Sequence, residues 1–522
     1  MVIGVSSLDF GGSAASGAPE SSSSGAATPP SPPGEFDPAR ASGIALHLIR
    51  TACDGLTTLD DANGKVRPAL AQNLQLEAGT LKMTVSLKPK LTFPDGTALD
   101  ALAVRESLSR VARPATTSRW ASLLDRVSGY AEVQSGQADH LTGIKVIDPL
   151  TLEISFTAPA GDFPTTLAHP SLTPVSTGGG PEAADPPKLN GPNVINCSGP
   201  YRVEAGASQG SLNLRRASGR SRNTGPDAIR VESFESLGDA YTALTEGKVD
   251  IAERPEDQTT IPTGISVERR AGSEVTYLAF DTSKPPGSDP NVVRAVSLAI
   301  GRLVIVDAVY GDRREPALHW LPGPANLACG KYIRRIADPE LAKQTLGAGT
   351  DAVSGPGSLA VTYEVPVLDH FAAQAIQVQI KAALGVTVQL NALETDAFAA
   401  SARDRPSGGA WVFETETDFV PADQALSDRF ITGRPGNRLG YSNPGLDGAF
   451  EAWRRAVSET DSGKALTQAE DLLCGETPAV PLWRRVHHWA FNPNKVTFIG
   501  TEALNPFGLP NLRNSAGPNP RV

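Results

Sequence analysis

Several kinds of residue are scarce in this sequence. Its 522 residues include 2 methionines and 4 cysteines. They contain no run of about 18 apolar residues, the length that a membrane-spanning helix requires. The sequence therefore predicts no helix that crosses a membrane. The near absence of methionine, beside abundant alanine, glycine, proline and arginine, reflects coding bias and indicates no function.

Basic residues are fewer than acidic residues in this chain. The chain has 47 lysines and arginines against 57 aspartates and glutamates, which gives a net charge of −10. Proteins that bind nucleic acids normally carry a basic face, so this balance argues against a nucleic acid as partner. With 40% hydrophobic and 20% charged residues, the composition is that of an ordinary globular protein. A length of 522 residues predicts two to four domains or one large interleaved pair of lobes.

Signatures of catalysis are missing as well. The sequence has no Walker loop, no H-E-x-x-H motif and no dinucleotide fingerprint. Its G-x-S-x-G match, Gly206–Gly210, would need a helix after it to form the nucleophile loop of a hydrolase. The following Ser211–Arg215 alternates like a strand, which indicates a hairpin loop instead. We therefore expect no enzyme activity, no cofactor and no metal.

The four cysteines are widely separated. They have no C-x-x-C spacing and no histidine close by in sequence, which argues against a zinc site. An even number fits two disulfides in an oxidising compartment, whereas four buried free thiols in a cytosolic protein fit equally well. Sequence alone permits three ways of pairing them. The residues are Cys53, Cys197, Cys329 and Cys474.

The chain opens with a segment of low complexity. No basic region followed by an apolar region, as in a secretory signal, is present at the start. Residues 11–34 are almost all serine, glycine, alanine and proline, which bury too little apolar surface to become ordered. We expect residues 1–35 to form a flexible segment, with a short strand-like piece at Val2–Val5.

The rest of the chain alternates between strand and helix patterns. Leu81–Leu87 has the two-residue period of a strand, and Ala101–Val111 has helical spacing after a capping Asp100. Val292–Val309 predicts one long helix, and Trp411–Phe419 predicts a strand. Strands that alternate with helices predict an α/β fold with several mixed sheets.

Short motifs in a fixed order then point to a family. In order, they are Phe36-Asp37-Pro38, Cys53-Asp54-Gly55-Leu56, Phe93-Pro94-Asp95-Gly96-Thr97-Ala98-Leu99, Ser198-Gly199-Pro200-Tyr201, Tyr277-Leu278-Ala279-Phe280-Asp281, Val292-Val293-Arg294-Ala295, Thr417-Asp418-Phe419 and Pro478-Ala479-Val480-Pro481-Leu482-Trp483. From about Phe36 to its end, the chain resembles the extracytoplasmic solute-binding proteins of ABC importers, of the peptide- and nickel-binding type known as family 5. The resemblance implies the two-lobed fold of periplasmic binding proteins, in the large class that has an extra domain and a hinged cleft.

The resemblance also implies a division of the chain. Lobe I takes residues 36–59, 197–270 and 481–522, and its extension domain takes 60–196. Lobe II takes residues 271–480. On this layout each lobe holds two cysteines, so the resemblance implies the pairs Cys53–Cys197 and Cys329–Cys474.

The segment Trp411–Phe419 is the most informative for ligand binding. In a strand, Glu414, Glu416 and Asp418 share one face, where three carboxylates repel one another unless water or a cation relieves them. In peptide-binding members of the family, an Asp at the position of Asp418 pairs with the α-amino group of the ligand. We interpret the segment as a cation site centred on Asp418; the alternative is a solvated strand edge.

Other candidates combine aromatic bulk with positive charge. Alternation along Pro481–Trp489 sends four side chains to one face, which would suit a peptide carboxylate or backbone: Trp483, Arg485, His487 and Trp489. Packing and a surface salt bridge explain the same residues. Other aromatic candidates for ligand contact are Trp411, Phe413, Tyr277 and Trp320.

The resemblance favours one function among three. It implies a receptor that captures an oligopeptide or another amine-bearing solute as the lobes close and delivers it to an ABC permease. An envelope lipoprotein that acts as a scaffold or regulator without transport is the alternative, and an enzyme is the third possibility. We expect a monomer in an extracytoplasmic location, held as a lipoprotein by an anchor outside this chain.

Overall fold

The computed structural model describes residues 1–6, 37–176, 196–497 and 513–514. Gaps within these ranges fall at 42, 60–64, 78, 80, 206–210, 218–225, 256–257, 259, 321–328, 348–358, 365–366, 395–396, 399–408, 416–425, 427–428 and 435. The chain divides into two compact units. The first unit is Met1–Arg270 with His488–Val522, and the second unit is Ala271–His487.

One sheet of the first unit is built from strands distant in sequence. Its order is β11-β1-β10-β9-β8, and β1 lies parallel to both of its neighbours. Strand β1 agrees with the short strand-like piece expected at Val2–Val5, and its backbone groups pair with β10 and β11. Residues 7–35, the rest of the expected flexible segment, lie outside the described part. The strands are β1 (Val2–Ser6), β8 (Tyr201–Ala205), β9 (Ser211–Arg216), β10 (Ala228–Phe234) and β11 (Ile251–Glu253).

A second sheet of the first unit is antiparallel, in the order β4-β5-β7-β6. Its alternating apolar side chains pack with α2 into one buried cluster that includes Met83, Val85, Leu108 and Ile154. The strands are β2 (Thr57–Leu59), β3 (Val66–Pro68), β4 (Ala71–Leu76), β5 (Lys82–Leu87), β6 (Ile144–Asp148) and β7 (Thr151–Ser155). The helices are α1 (Gly43–Ala52), α2 (Ala101–Ala112), α3 (Tyr130–Gln134), α4 (Phe163–Thr166) and α5 (Leu237–Thr245).

The sheet of the second unit is mixed, in the order β15-β14-β16-β12-β17, and β13 also pairs with β17. Strands β12 and β17 contain the two points where the chain passes between the units. The strands are β12 (Ser266–Phe280), β13 (Arg314–Pro316), β14 (Leu359–Glu364), β15 (Val388–Leu393), β16 (Gly409–Glu414) and β17 (Ala479–Phe491), with β18 (Val496–Thr497) and β19 (Arg513–Asn514) pairing in the first unit.

Helices and two buried clusters cover the sheet of the second unit. One cluster contains Leu278, Phe280 and Val412, and the other contains Tyr277, Trp411 and Phe413. The helices are α6 (Pro290–Ala299), α7 (Arg302–Ile305), α8 (Pro339–Leu346), α9 (His370–Leu384), α10 (Pro444–Arg455) and α11 (Glu459–Glu476). Among the helices of the described residues, none combines the length and apolar character needed to span a membrane.

The long helix predicted over Val292–Val309 is wrong. Helix α6 ends at Ala299, Ile300 is extended, and α7 begins at Arg302. The backbone N–H of Gly301 donates to Gln379 Oε1 at 2.7 Å instead of continuing the helix. The strand predicted over Trp411–Phe419 ends at Glu414 in the structure, and residues 416–419 lie outside the described part.

Both disulfides are present, and each lies within one unit. Cys53 pairs with Cys197 in the first unit, and Cys329 pairs with Cys474 in the second. Their Cα atoms are 5.7 and 5.0 Å apart. This is the pairing that the resemblance implies.

Candidate ligand-binding surface

Charged and polar side chains meet on the second unit beside the end of strand β16. Three neighbouring strands, β16, β12 and β17, contribute them. In register, Thr276 of β12 lies opposite Glu414 of β16. Residues two apart on a strand share a face. On β12, Leu278 and Phe280 are apolar and belong to a buried cluster. Thr276 and Glu274 follow on the same face, so that face is polar at this end of the strand. We call this group the polar cluster: Glu274, Thr276, Glu414, Arg485 and His487.

Glu414 joins two of the strands. Its Oε1 accepts a hydrogen bond from the Thr276 hydroxyl at 3.2 Å, and its Oε2 lies 3.6 Å from Nη2 of Arg485. The Glu414 side chain is 15% exposed and the Arg485 side chain 35% exposed. A mostly buried carboxylate next to a more exposed guanidinium offers both signs of charge to a zwitterionic ligand.

A second acid–base pair lies next to the first. Nε2 of His487 is 3.2 Å from Oε1 of Glu274, and both side chains are mostly buried. Burial by itself raises the pKa of Glu274, but the charge of His487, its hydrogen bond and the charge of Arg485 outweigh that effect and lower the pKa to about 2. Gly272 leaves room for this pair, because a Cβ at that position would collide with Glu274 Oε2.

Aromatic candidates lie on the opposite face of the sheet. The Tyr277 ring stacks on Phe413 at 5.2 Å and on Trp320 at 5.5 Å, and its hydroxyl donates to the Trp320 carbonyl at 3.0 Å. The guanidinium of Arg429 lies over Phe413, 4.5 Å from the ring centre. Burial raises the pKa of the Tyr277 hydroxyl. These contacts form a rigid, cation-capped aromatic stack.

The exposure of the aromatic candidates differs. Tyr277, Trp320 and Trp483 are fully buried, whereas Trp411 is 5% and Phe413 8% exposed. Trp483 contacts Tyr310, with ring centres 5.3 Å apart. Their contact with a ligand stays a prediction.

Glu416 and Asp418, at the centre of the predicted cation site, lie outside the described residues. Glu414 is therefore the one acid of the predicted three that lies in the described part of the chain. It pairs with Arg485, a candidate from the segment Pro481–Trp489. Sequence reasoning missed Glu274 and Thr276. The alternation of β12 would have placed both on the face opposite Tyr277.

Relatives are found along nearly the whole chain. The chain is 24% identical over 472 residues to the "Probable deoxycholate-binding periplasmic protein YgiS" of Escherichia coli, which covers 87% of this chain and 86% of the relative. It is 22% identical over 474 residues to the "Dipeptide-binding protein DppE" of Bacillus subtilis, covering 86% and 84%.

Solved structures share the fold. The structure of Haemophilus influenzae OppA in complex with the peptide RPPGFSPFR matches with a TM-score of 0.67 and 20% identity, over 92% of this chain and 96% of that one. The predicted mixed α/β fold of the two-lobed binding proteins is thereby confirmed. The family model for "Bacterial extracellular solute-binding proteins, family 5 Middle" matches residues 65–437, more than half of the chain. The chain therefore belongs to family 5 of the bacterial extracellular solute-binding proteins.

Proposed function

We propose that this protein is the extracytoplasmic receptor of an ABC importer and that it binds an oligopeptide or another amine-bearing solute without chemical change. Family membership and relatives named for binding a dipeptide and deoxycholate support a binding role. The expectation that two lobes close on the solute stays a prediction. So does a monomeric receptor that delivers its solute to a membrane permease.

The observation that carries the proposal is the contact between Glu414 and Arg485, 3.6 Å apart on neighbouring strands. A peptide presents an ammonium group, carbonyl oxygens and a carboxylate. A guanidinium can donate two parallel hydrogen bonds to a carboxylate or a carbonyl, and a carboxylate can accept from an ammonium group. We assign Arg485 to the acceptor groups of the solute and Glu414 to its donors.

We further propose that Asp418 binds the amino group of the solute, with Glu416 beside it. Both follow Glu414 within four residues of sequence. Phe413 and Trp411, which keep slight exposure, would contact apolar side chains of the solute. Tyr277 and Trp320, both fully buried, would support that wall from behind. Trp483 packs in the cluster on the other face of the sheet, so its contact with a solute stays a prediction of its own.

A thermal-shift screen tests the proposal. Peptides of increasing length, polyamines, sugars, metal chelates and deoxycholate are offered to the purified chain. A solute at 100 times its dissociation constant should stabilise the protein by about 2.7 kcal/mol. Stabilisation by sugars alone, or by no compound, would contradict a receptor for amine-bearing solutes.

Two neighbouring arginines provide a matched control. Arg485 belongs to the polar cluster, whereas Arg484 points to the other side of β17 and pairs with Glu315 at 3.4 Å. Arg485→Gln should weaken binding of the solute found in the screen at least about tenfold, the cost of one charge-assisted contact, while Arg484→Gln should leave it unchanged. Asp418→Asn should abolish binding of an amine-bearing solute. Equal affinities across these variants would remove the polar cluster from the site.

We also propose that the protein works outside the cytoplasm and is held there as a lipoprotein. Membership in a family of extracellular binding proteins supports the compartment, and two disulfides fit an oxidising environment. Cell fractionation with metabolic labelling by a fatty-acid analogue tests the anchor. Protein that is recovered unlabelled from the soluble fraction would contradict it.

A further inference from the structure

Four large apolar side chains are exposed on neighbouring segments of the second unit. Val304 is 59% exposed, Ile336 62%, Phe371 69% and Val378 64%. Single apolar side chains scattered over a surface are ordinary, whereas a group of neighbouring ones marks an interaction site. We call these four residues the apolar patch.

One backbone hydrogen bond brings Val304 and Ile336 together. The Leu303 N–H donates to the Arg335 carbonyl at 2.9 Å. Val304 and Ile336 are the residues that directly follow this bonded pair. Two segments about thirty residues apart in sequence therefore each contribute an exposed apolar side chain at the same place.

Helix α9, which carries the other two residues of the patch, lies along residues 301–310. The Gly301 N–H donates to Gln379 Oε1 at 2.7 Å, and the Asp369 N–H donates to the Tyr310 hydroxyl at 3.2 Å. Each contact lies within two or three residues of a member of the patch. The two segments therefore run side by side in opposite directions.

The patch faces outward from the sheet. Ile305 of α7 and Ile376 and Ile380 of α9 belong to one buried cluster on the sheet, so both helices bury the side that faces it. Phe371 and Val378 are seven residues apart, which is two helical turns, and both lie on the other side of α9. The apolar patch is thus on the outside of this layer of helices.

Basic side chains border the apolar patch. Arg335 directly precedes Ile336, and Lys381 lies about one helical turn after Val378 on α9. Lys331 precedes them in the same segment as Arg335. All three basic residues are exposed, and among the described residues none of them pairs with a carboxylate.

Acidic side chains near the patch balance few of these charges. Asp338 pairs with Arg334 at 2.6 Å, and Glu340 pairs with Lys343 at 3.4 Å. Asp307 is exposed as well. This border therefore has net positive charge, although the net charge of the whole chain is −10.

We propose that the apolar patch and its basic border dock on a bilayer surface that contains anionic phospholipids. Exposed apolar side chains enter the boundary between headgroups and acyl chains, and neighbouring lysines and arginines are attracted to lipid phosphates. The strength of such binding depends on buried apolar area together with charge attraction, and this surface offers both. The surface lies wholly within the second unit and does not depend on binding of a solute.

Co-sedimentation with vesicles tests the proposal on the full chain. The protein is mixed with vesicles of phosphatidylglycerol and phosphatidylcholine, or of phosphatidylcholine alone, over a series of NaCl concentrations. We expect binding to the mixed vesicles that weakens as salt rises, because salt screens the attraction between basic side chains and phosphates. Equal binding to both kinds of vesicle would overturn the proposal. A lack of binding to either would overturn it too and would favour a protein as the partner of this face.

Apolar variants locate the surface. Ile336→Ser and Phe371→Ser should each weaken vesicle binding at least about tenfold, because each removes an apolar side chain from the bilayer boundary. Val457→Ser is the matched control. Val457 is 68% exposed but lies between α10 and α11, which pack in the cluster on the other face of the sheet. Its replacement should leave vesicle binding unchanged.

Charge variants test the basic border. Arg335→Gln and Lys381→Gln should each weaken binding to the mixed vesicles about fivefold, the contribution of one basic side chain near an anionic surface. Arg455→Gln on α10 is the control and should have no effect, and circular dichroism checks that every variant is folded. Parental affinity in the Ile336 and Arg335 variants, or equal losses in the two controls, would refute the surface.

Discussion

At the scale of single residues, Arg302 has an unusual environment. Its side chain is fully buried, and its guanidinium donates to the carbonyls of Pro481 at 2.6 Å, Ser297 at 3.1 Å and Arg334 at 3.0 Å. These acceptors are neutral, so burial lowers the pKa of Arg302 to about 9. The residue ties the end of helix α6 to strand β17, and nothing in its sequence context indicates that role.

Glu274 gives a residue-scale prediction about acid stability. The folded protein keeps this carboxylate ionised down to about pH 2, whereas an unfolded chain protonates it near 4.5. Between these values the unfolded state binds more protons, so acid favours unfolding. The stabilisation is complete above about pH 4.5 and is lost as pH falls toward 2. Glu274→Gln should cost on the order of 1 to 3 kcal/mol at neutral pH and flatten the acid limb of urea unfolding.

His487→Gln serves as the control for that measurement. It removes the partner that lowers the pKa of Glu274 and should flatten the same limb. If both variants kept the acid dependence of the parent protein, the pair would not be the source of it.

At the scale of elements, helix ends follow local rules. Asp100 caps α2 by accepting from the Ala103 N–H at 2.9 Å, as the sequence predicted. Helix α9 ends at Leu384, and the next residue, Gly385, has a φ of +74° and donates its N–H to the Lys381 carbonyl. An αL position at a helix end favours glycine, because a Cβ is strained there.

Replacing each of two glycines by alanine should change the stability of the protein in opposite directions. Gly385→Ala should destabilise the protein by about 1 kcal/mol, because alanine is strained at positive φ. Gly463 lies inside helix α11 with open space around it, so Gly463→Ala should stabilise by about 0.5 to 1 kcal/mol. Chemical unfolding of the two variants checks this. Shifts in the same direction would contradict the backbone argument.

At the scale of the molecule, each unit has its own disulfide. Cys53 and Cys197 are 144 residues apart in sequence, and Cys329 and Cys474 are 145 apart. Each bond therefore closes a long loop within one unit and restricts the unfolded chain strongly.

Replacement of either cysteine pair by alanine should lower stability by about 2 to 5 kcal/mol. Calorimetry of the two double variants and the parent protein provides the measurement. Because the loops have nearly equal length, the entropic part of the loss should be similar in both. A variant with an unchanged melting temperature would show that its disulfide adds no stability in the folded protein.

Much of the fold could be predicted from the sequence, since strand alternation and helix caps depend on near neighbours. Leu81–Leu87 indicated β5, and the spacing after Asp100 indicated α2. The long helix over Val292–Val309 could not be corrected from sequence, because its break depends on a hydrogen bond to Gln379, 78 residues away.

The sequence by itself determined the mixed α/β class, the family and the candidate residues on β16 and β17, because periodicity and short motifs are local properties. Only the tertiary structure decided which of them meet. Glu414 contacts Arg485, and His487 contacts Glu274 of β12. The physical reason is strand register and helix packing, which join segments far apart in the chain and have no sequence period of their own.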